Sequence, residues 1–139
     1  MNDRFFYLAG PYTHPEAAVQ GDRVELLTMA AAMLMSAGHV IYSPITHGHQ
    51  IAQHFARPQS HDFWLGQCLP LLHEADALII VPLAGWRNSL SIAKEIDYAK
   101  GEGLPIYILQ AMPEGFEARI ERVSPTEAIS AGWSILNFS

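Results

Sequence analysis

The stretch ALIIVPL, residues 77–83, is apolar without a break and is bounded by Glu74 and Asp76 on one side and Gly85 on the other. A run of this kind has the character of a strand buried on both faces, as central strands of parallel sheets are. Downstream, Ile92, Ile96 and Ala99 recur at helical spacing, and PIYIL at 105–109 follows Gly101 and Gly103 as a further strand. Upstream, Phe63, Leu65, Leu69 and Leu72 keep helical spacing behind Ser60 or Asp62 as N-cap. The unit around residues 77–83 is therefore helix, strand, helix, strand.

The same alternation extends to the N-terminus. FFYLA at 5–9 is an apolar and aromatic strand that stops at Gly10-Pro11. Val24, Leu27, Ala31, Leu34 and Met35 then mark an amphipathic helix from about Pro15 to Ala37, with Gly38 in the place of a C-cap glycine. HVIYS at 39–43 reads as a second strand, and PITHGHQIAQHFARPQS lacks strong periodicity and is long enough for a functional loop. After Met112, FEARIERV and PTEAISAGW read as short helices and WSILNF as a final strand. Strands alternating with helices predict an α/β domain with a mainly parallel sheet of four to five strands covered on both faces.

With 139 residues, half of them hydrophobic and a sixth charged, the chain suits one domain over 1–139 with one core. The net charge is −6, and the eight Lys and Arg are scattered. A polymeric nucleic acid requires a basic face and is not an expected partner; a small nucleotide needs only a few local donors. A lone Cys68 forms no internal disulfide, no apolar run follows a basic leader, and no segment has the length of a membrane span, so a cytoplasmic protein without membrane contact is expected.

In open α/β sheets, ligands bind at the carboxyl ends of the strands. Three segments qualify here: AGPYTHP, SPITHGH and AGWRNS. In the last helix, Glu95 lies about 60° from Ile92, at the edge of the apolar stripe. It reads either as a solvated charge or as a carboxylate made special by its surroundings. Ser89 and Asn88 suit an N-cap, and Ser89 equally suits a phosphate or sugar hydroxyl. Gly10 permits close approach of backbone to a ligand, while Tyr7 reads as a core tyrosine as well as a site residue. His47, His49, His54 and His61 invite a metal reading, but HExxH and zinc-spaced cysteines are missing; no metal or other cofactor is expected, and these histidines are treated as loop or substrate contacts.

Taken together, YLAGPY at 7–12, SPITHGH at 43–49, EADALIIV at 74–81 and the W-x-x-S-x-S-x-x-x-E pattern with A-x-x-x-G-x-P to Pro105 resemble the nucleoside 2-deoxyribosyltransferase-like superfamily. The resemblance spans roughly residues 5 to 109 and looks closest to a functionally uncharacterised branch. It implies a single three-layer Rossmann/flavodoxin-like domain and N-glycosidic cleavage or transfer on a nucleotide or nucleoside. Glu95 would be the nucleophile that forms a glycosyl-enzyme, oriented by Tyr7, with Gly10 and Pro11 beside the sugar and Ser89 at a 5′-phosphate. Tyr12, Trp86, His47 and His49 would enclose the base, and the protein would be a homo-oligomer.

Two departures accompany the resemblance. Ser91 stands where the family has glycine, and Cys68 stands where it has the carboxylate that helps the base leave. Asp62, His47, His49 and His61 are the alternative acids. The competing readings are a non-catalytic nucleotide-binding or sensing module and a His-ligated metal hydrolase.

Overall fold

The computed structural model describes residues 3–110 and 118–129. Side chains alternate across a strand, and in this chain the alternation sends two apolar sets to opposite sides. Tyr7, Ala9, Leu78 and Ile80 join one core cluster, and Leu8, Ile79 and Val81 join the other. This two-sided burial requires a helical layer on each face.

The sheet runs through β1 (Phe6–Ala9), β2 (Ile41–Tyr42), β3 (Ala77–Ile80), β4 (Ile106–Leu109) and β5 (Ile120–Val123), in the order β2-β1-β3-β4-β5. The first four are parallel, with Phe6 opposite both Ile41 and Ala77 and Leu78 opposite Ile106. The fifth is antiparallel, pairing Ile120 with Leu109 and Val123 with Ile106. Helix α1 (Ala17–Ser36) covers the Leu8–Ile79 face through Leu27, Ala30, Ala31 and Leu34. Helices α3 (His61–Glu74) and α4 (Leu90–Glu102) cover the opposite face through Leu72, Ile92, Ile96 and Ala99, with α5 (Pro125–Ile129) adding Ala128. The result is the expected α/β arrangement, a three-layer Rossmann-like domain with a mostly parallel five-stranded sheet.

Local signals set most boundaries. Gly38 takes φ 98°, which L-residues rarely adopt, and lets its own N–H donate to Met35 and that of His39 to Leu34, closing the end of α1. Ser60 caps α3 by accepting the Phe63 N–H at 3.1 Å.

Two segments differ from expectation. Residues 44–52, expected as loop, form helix α2 (Pro44–Ala52): Ser43 precedes the first turn and Pro44 occupies it, where its fixed φ suits a helix and its missing N–H costs nothing. FEARIERV, expected as a helix, contains β5, because Ile120–Val123 finds the open edge of β4; pairing across the sheet outweighs local propensity. The expected helix at PTEAISAGW is present over Pro125–Ile129, and the strand expected at WSILNF lies outside the described residues.

Candidate active site

In the sheet order β2-β1-β3-β4, the chain leaves β1 and β3 in divergent directions, and the crevice between their carboxyl ends is where such folds bind ligands. Arg23 of α1 ties the two loops together there. Its guanidinium donates to the carbonyls of Thr13 (2.8 Å) and Tyr12 (3.4 Å) in one loop and Ala84 (3.1 Å) in the other. Gly85, at φ 89°, has no Cβ because one would stand 2.6 Å from the same guanidinium. The sequence reading missed Arg23, since an arginine in an amphipathic helix carries no local sign of its distant carbonyl partners.

Glu95 is the buried charged residue among those described, 5% exposed. It sits in the second turn of α4, whose start is set by Ser89 accepting the Ile92 N–H at 3.2 Å. No ion pair to Glu95 occurs among the described residues. Burial pushes its carboxyl up from the ordinary 4.5 to about 7, and the Tyr7 hydroxyl partly opposes the shift by favouring the charged form. Tyr7 is itself fully buried at the centre of the sheet. Its hydroxyl is driven far upward by burial first, and then by Glu95 and Cys68, so it stays protonated. That hydroxyl lies close enough to both groups to perturb their titration but meets neither with the geometry of a full hydrogen bond.

Cys68, half-buried on α3, completes the cluster. Burial raises its thiol, Glu95 raises it further, and Tyr7 acts in the opposite direction. The thiol also forms part of the wall of a cavity of about 290 Å³ between β2, α2 and α3, where Tyr42, His47, Phe55, Phe63 and Trp64 line the space. The last three rings pack edge-on to one another, with centroids 5.2 to 5.9 Å apart. Cys68 thus joins an aromatic cavity to a buried carboxyl. The aromatic lining was not anticipated, because its residues come from a segment taken as loop and from a helix stripe that reads as ordinary core.

A larger cavity, about 500 Å³, lies between the C-terminal part of α4 and the strand pair β4–β5, at the opposite end of the sheet. None of Tyr7, Cys68 and Glu95 lines it. Its size therefore says nothing about the buried cluster.

The remaining expected residues separate into distinct places. Ser89 spends its hydroxyl on the cap of α4. Ser91 is hydrogen-bonded to His61 Nε2 at 3.0 Å, joining the first turns of α3 and α4. The Tyr12 hydroxyl and His49 Nδ1 share a hydrogen bond of 2.8 Å, so these two do come together, and His47 stands at the cavity rim against Tyr42.

Two expectations are corrected. Trp86, expected to enclose a base, is 2% exposed in the core, with Arg87 over its ring at 5.0 Å; its indole N–H is buried and has no partner among the described residues. Asp62 lies within the first turn of α3, because the helix begins at His61, and its side chain is 94% exposed, so it does not reach the cluster. Gly10 is also required by packing, since a Cβ there would stand 2.3 Å from Leu27 Cδ2. Pro11 beside it is buried.

A family model described as a domain of unknown function, DUF1937, matches residues 4–111, more than three-quarters of the chain. The chain belongs to the DUF1937 family. No curated protein matches it. The DUF1937 span contains β1 through β4 and α1 through α4, and with them Tyr7, Cys68, Glu95 and the aromatic cavity; β5 and α5 lie beyond it. The DUF1937 domain therefore carries the whole cluster.

Among the described residues no helix is long and apolar enough to cross a membrane, and no group of three or more His, Cys, Asp and Glu is placed to hold a metal ion.

Proposed function

We propose that this protein cleaves or transfers the N-glycosidic bond of a nucleoside or nucleotide, with Glu95 as nucleophile. The observation that carries the reading is a carboxyl group sealed in the core with no cation paired to it among the described residues, beside the Tyr7 hydroxyl and the cavity wall at Cys68. An unpaired buried carboxylate costs several kcal/mol, roughly, and folding alone gives no reason to keep one. Groups of this kind concentrate at reactive sites.

The step the arrangement suits is attack of a Glu95 oxygen on the anomeric carbon as the bond to the base nitrogen breaks, the bonding pair leaving with the base. Water or a second base then attacks that carbon, the ester electrons return to Glu95, and the proton lost by the attacking group balances the charge of the departed base through solvent. A carboxyl near pKa 7 is partly ionised at neutral pH, and Tyr7 favours the ionised form. The sequence resemblance supports the same assignment, together with a homo-oligomeric state, and the lone Cys68 fits a cytoplasmic setting.

Purified protein incubated with deoxynucleosides, ribonucleosides and their 5′-monophosphates is expected to release free base, and Glu95→Ala to release none. Absence of base from every substrate, or an active Glu95→Ala, would end the proposal. Turnover is also expected to rise with pH through about 7, as Glu95 ionises.

A second reading, a nucleotide-binding module without turnover, draws on one observation: among the described residues no carboxylic acid lines the cavity, and Asp62 faces solvent. Thermal stabilisation by nucleotides with no base released would favour it.

A further inference from the structure

Within the glycosidic reading, the same cavity bears on what kind of base can leave. Expelling a neutral purine or pyrimidine calls for a proton at the ring nitrogen as the bond breaks, a contribution of roughly 10²–10⁴ in rate from a well-matched acid. Among the described residues, the cavity wall holds no Asp, Glu, Lys or Arg. Its nearest acid to Glu95 is the Cys68 thiol, which burial makes a weaker proton donor still. Asp62 points to solvent, His61 is tied to Ser91, and His47 is exposed at the rim.

What the cavity does offer is a set of rings from Tyr42, Phe55, Phe63 and Trp64, with the Glu95 carboxyl in electrostatic reach of its wall and no opposing cation. Aromatic faces attract a cation by about 0.5–2 kcal/mol, more as water is excluded. Beside Cys68 the described wall thus offers no carboxyl to protonate a leaving group, while its rings suit a positively charged one, and the imidazole of His47 stands out at the rim.

We propose that the substrate is a glycoside whose leaving group is a cationic heteroaromatic ring, a pyridinium or an N-alkylated purinium. As the Glu95 oxygen bonds to the anomeric carbon, the bond to the charged ring nitrogen breaks and its electron pair neutralises that nitrogen. The ring departs neutral and takes no proton. Water then attacks the anomeric carbon, the ester pair returns to Glu95 as carboxylate, and the proton of water passes to solvent.

The test compares 7-methylguanosine with guanosine, and N-ribosylnicotinamide beside them, each with and without a 5′-phosphate. Rates are divided by spontaneous hydrolysis at the same pH, because the cationic glycosides are intrinsically more labile. The enhancement for the cationic glycosides is expected to exceed that for guanosine by ~100-fold, the contribution an absent acid withholds, and to vanish in Glu95→Gln. Equal Glu95-dependent enhancement of guanosine overturns the leaving-group inference and leaves the glycosidic reading standing. Turnover of no glycoside removes the glycosidic reading instead.

Binding reads the seat by itself. Calorimetric titration of the wild-type protein with N-methylnicotinamide cation and with neutral nicotinamide is expected to favour the cation by about 10-fold. Equal affinity, or preference for the neutral ring, overturns the inference whatever the turnover assay shows.

Discussion

On one face of the sheet, Leu8, Ile79 and Val81 meet Leu27, Ala30 and Leu34 of α1, and the buried members of that cluster are all aliphatic. On the other, Tyr7, Glu95 and Trp86 sit among Leu78, Ile80, Ile92 and Ile96, and among the described residues the Tyr7 hydroxyl and the Trp86 indole N–H have no hydrogen-bond partner. Beside the first face, His39 Nδ1, for which no partner is found among the described residues, belongs to a half-buried ring whose pKa burial lowers. The α1 face satisfies the demands of folding. The α3–α4 face carries polar groups that folding does not require, and it is the face that borders the aromatic cavity.

The largest expected break in this contrast comes from Glu95. Below 4.5 both the folded and unfolded chains hold its proton; between 4.5 and about 7 only the folded chain does; above 7 neither does. Raising pH through that window therefore lowers stability, by about 3 kcal/mol in total for a shift of this size. Urea unfolding at pH 4.5 and pH 8 should show that loss in the wild type relative to Glu95→Gln. A wild type and variant with parallel pH dependence would mean that the carboxyl is not desolvated.

The α1 face offers the converse test, through packing alone. Gly10→Ala places a methyl against Leu27, at a cost of about 1–3 kcal/mol by overpacking. Combined with Leu27→Ala it should cost less than the sum of the two single changes, and simple additivity in denaturant curves would place the strain elsewhere.

Smaller effects sharpen the α4 side. Ser89→Ala removes the cap from the Ile92 N–H and should lower stability by about 1 kcal/mol, with Ser89→Gly losing less; a larger loss of nucleotide affinity than of stability would instead give the hydroxyl a ligand role. Tyr7→Phe should change stability by less than about 1 kcal/mol, because the hydroxyl it deletes makes no full hydrogen bond. Since that hydroxyl favours ionised Glu95, its loss should move the midpoint of activity to higher pH, and an unmoved midpoint would uncouple the pair.

Much of this molecule was legible from local pattern. The continuous run at 77–83, the helical spacing of Ile92, Ile96 and Ala99, and the glycine after α1 each encode an element within a few neighbouring residues. The helical wheel put Glu95 at the margin of a buried stripe, and Ser89 at a cap, for the same reason. Helix α2 was missed because its apolar positions are too sparse to show a period, although Ser43-Pro44 is a start signal. Strand β5 was missed because it exists through its pairing with β4, a partner ten or more residues away.

By itself, then, the sequence determined the α/β order, the parallel central strands and the helix that bears Glu95, since each depends on periodicity along a short segment. Only the tertiary structure decided that Glu95 is buried, that Cys68 and Tyr7 are its neighbours, that Asp62 and Trp86 play no part at the cavity, and that the rings of β2, α2 and α3 line it. Burial, desolvation and the meeting of side chains from separate elements are properties of the packed whole. No single segment of this chain encodes them.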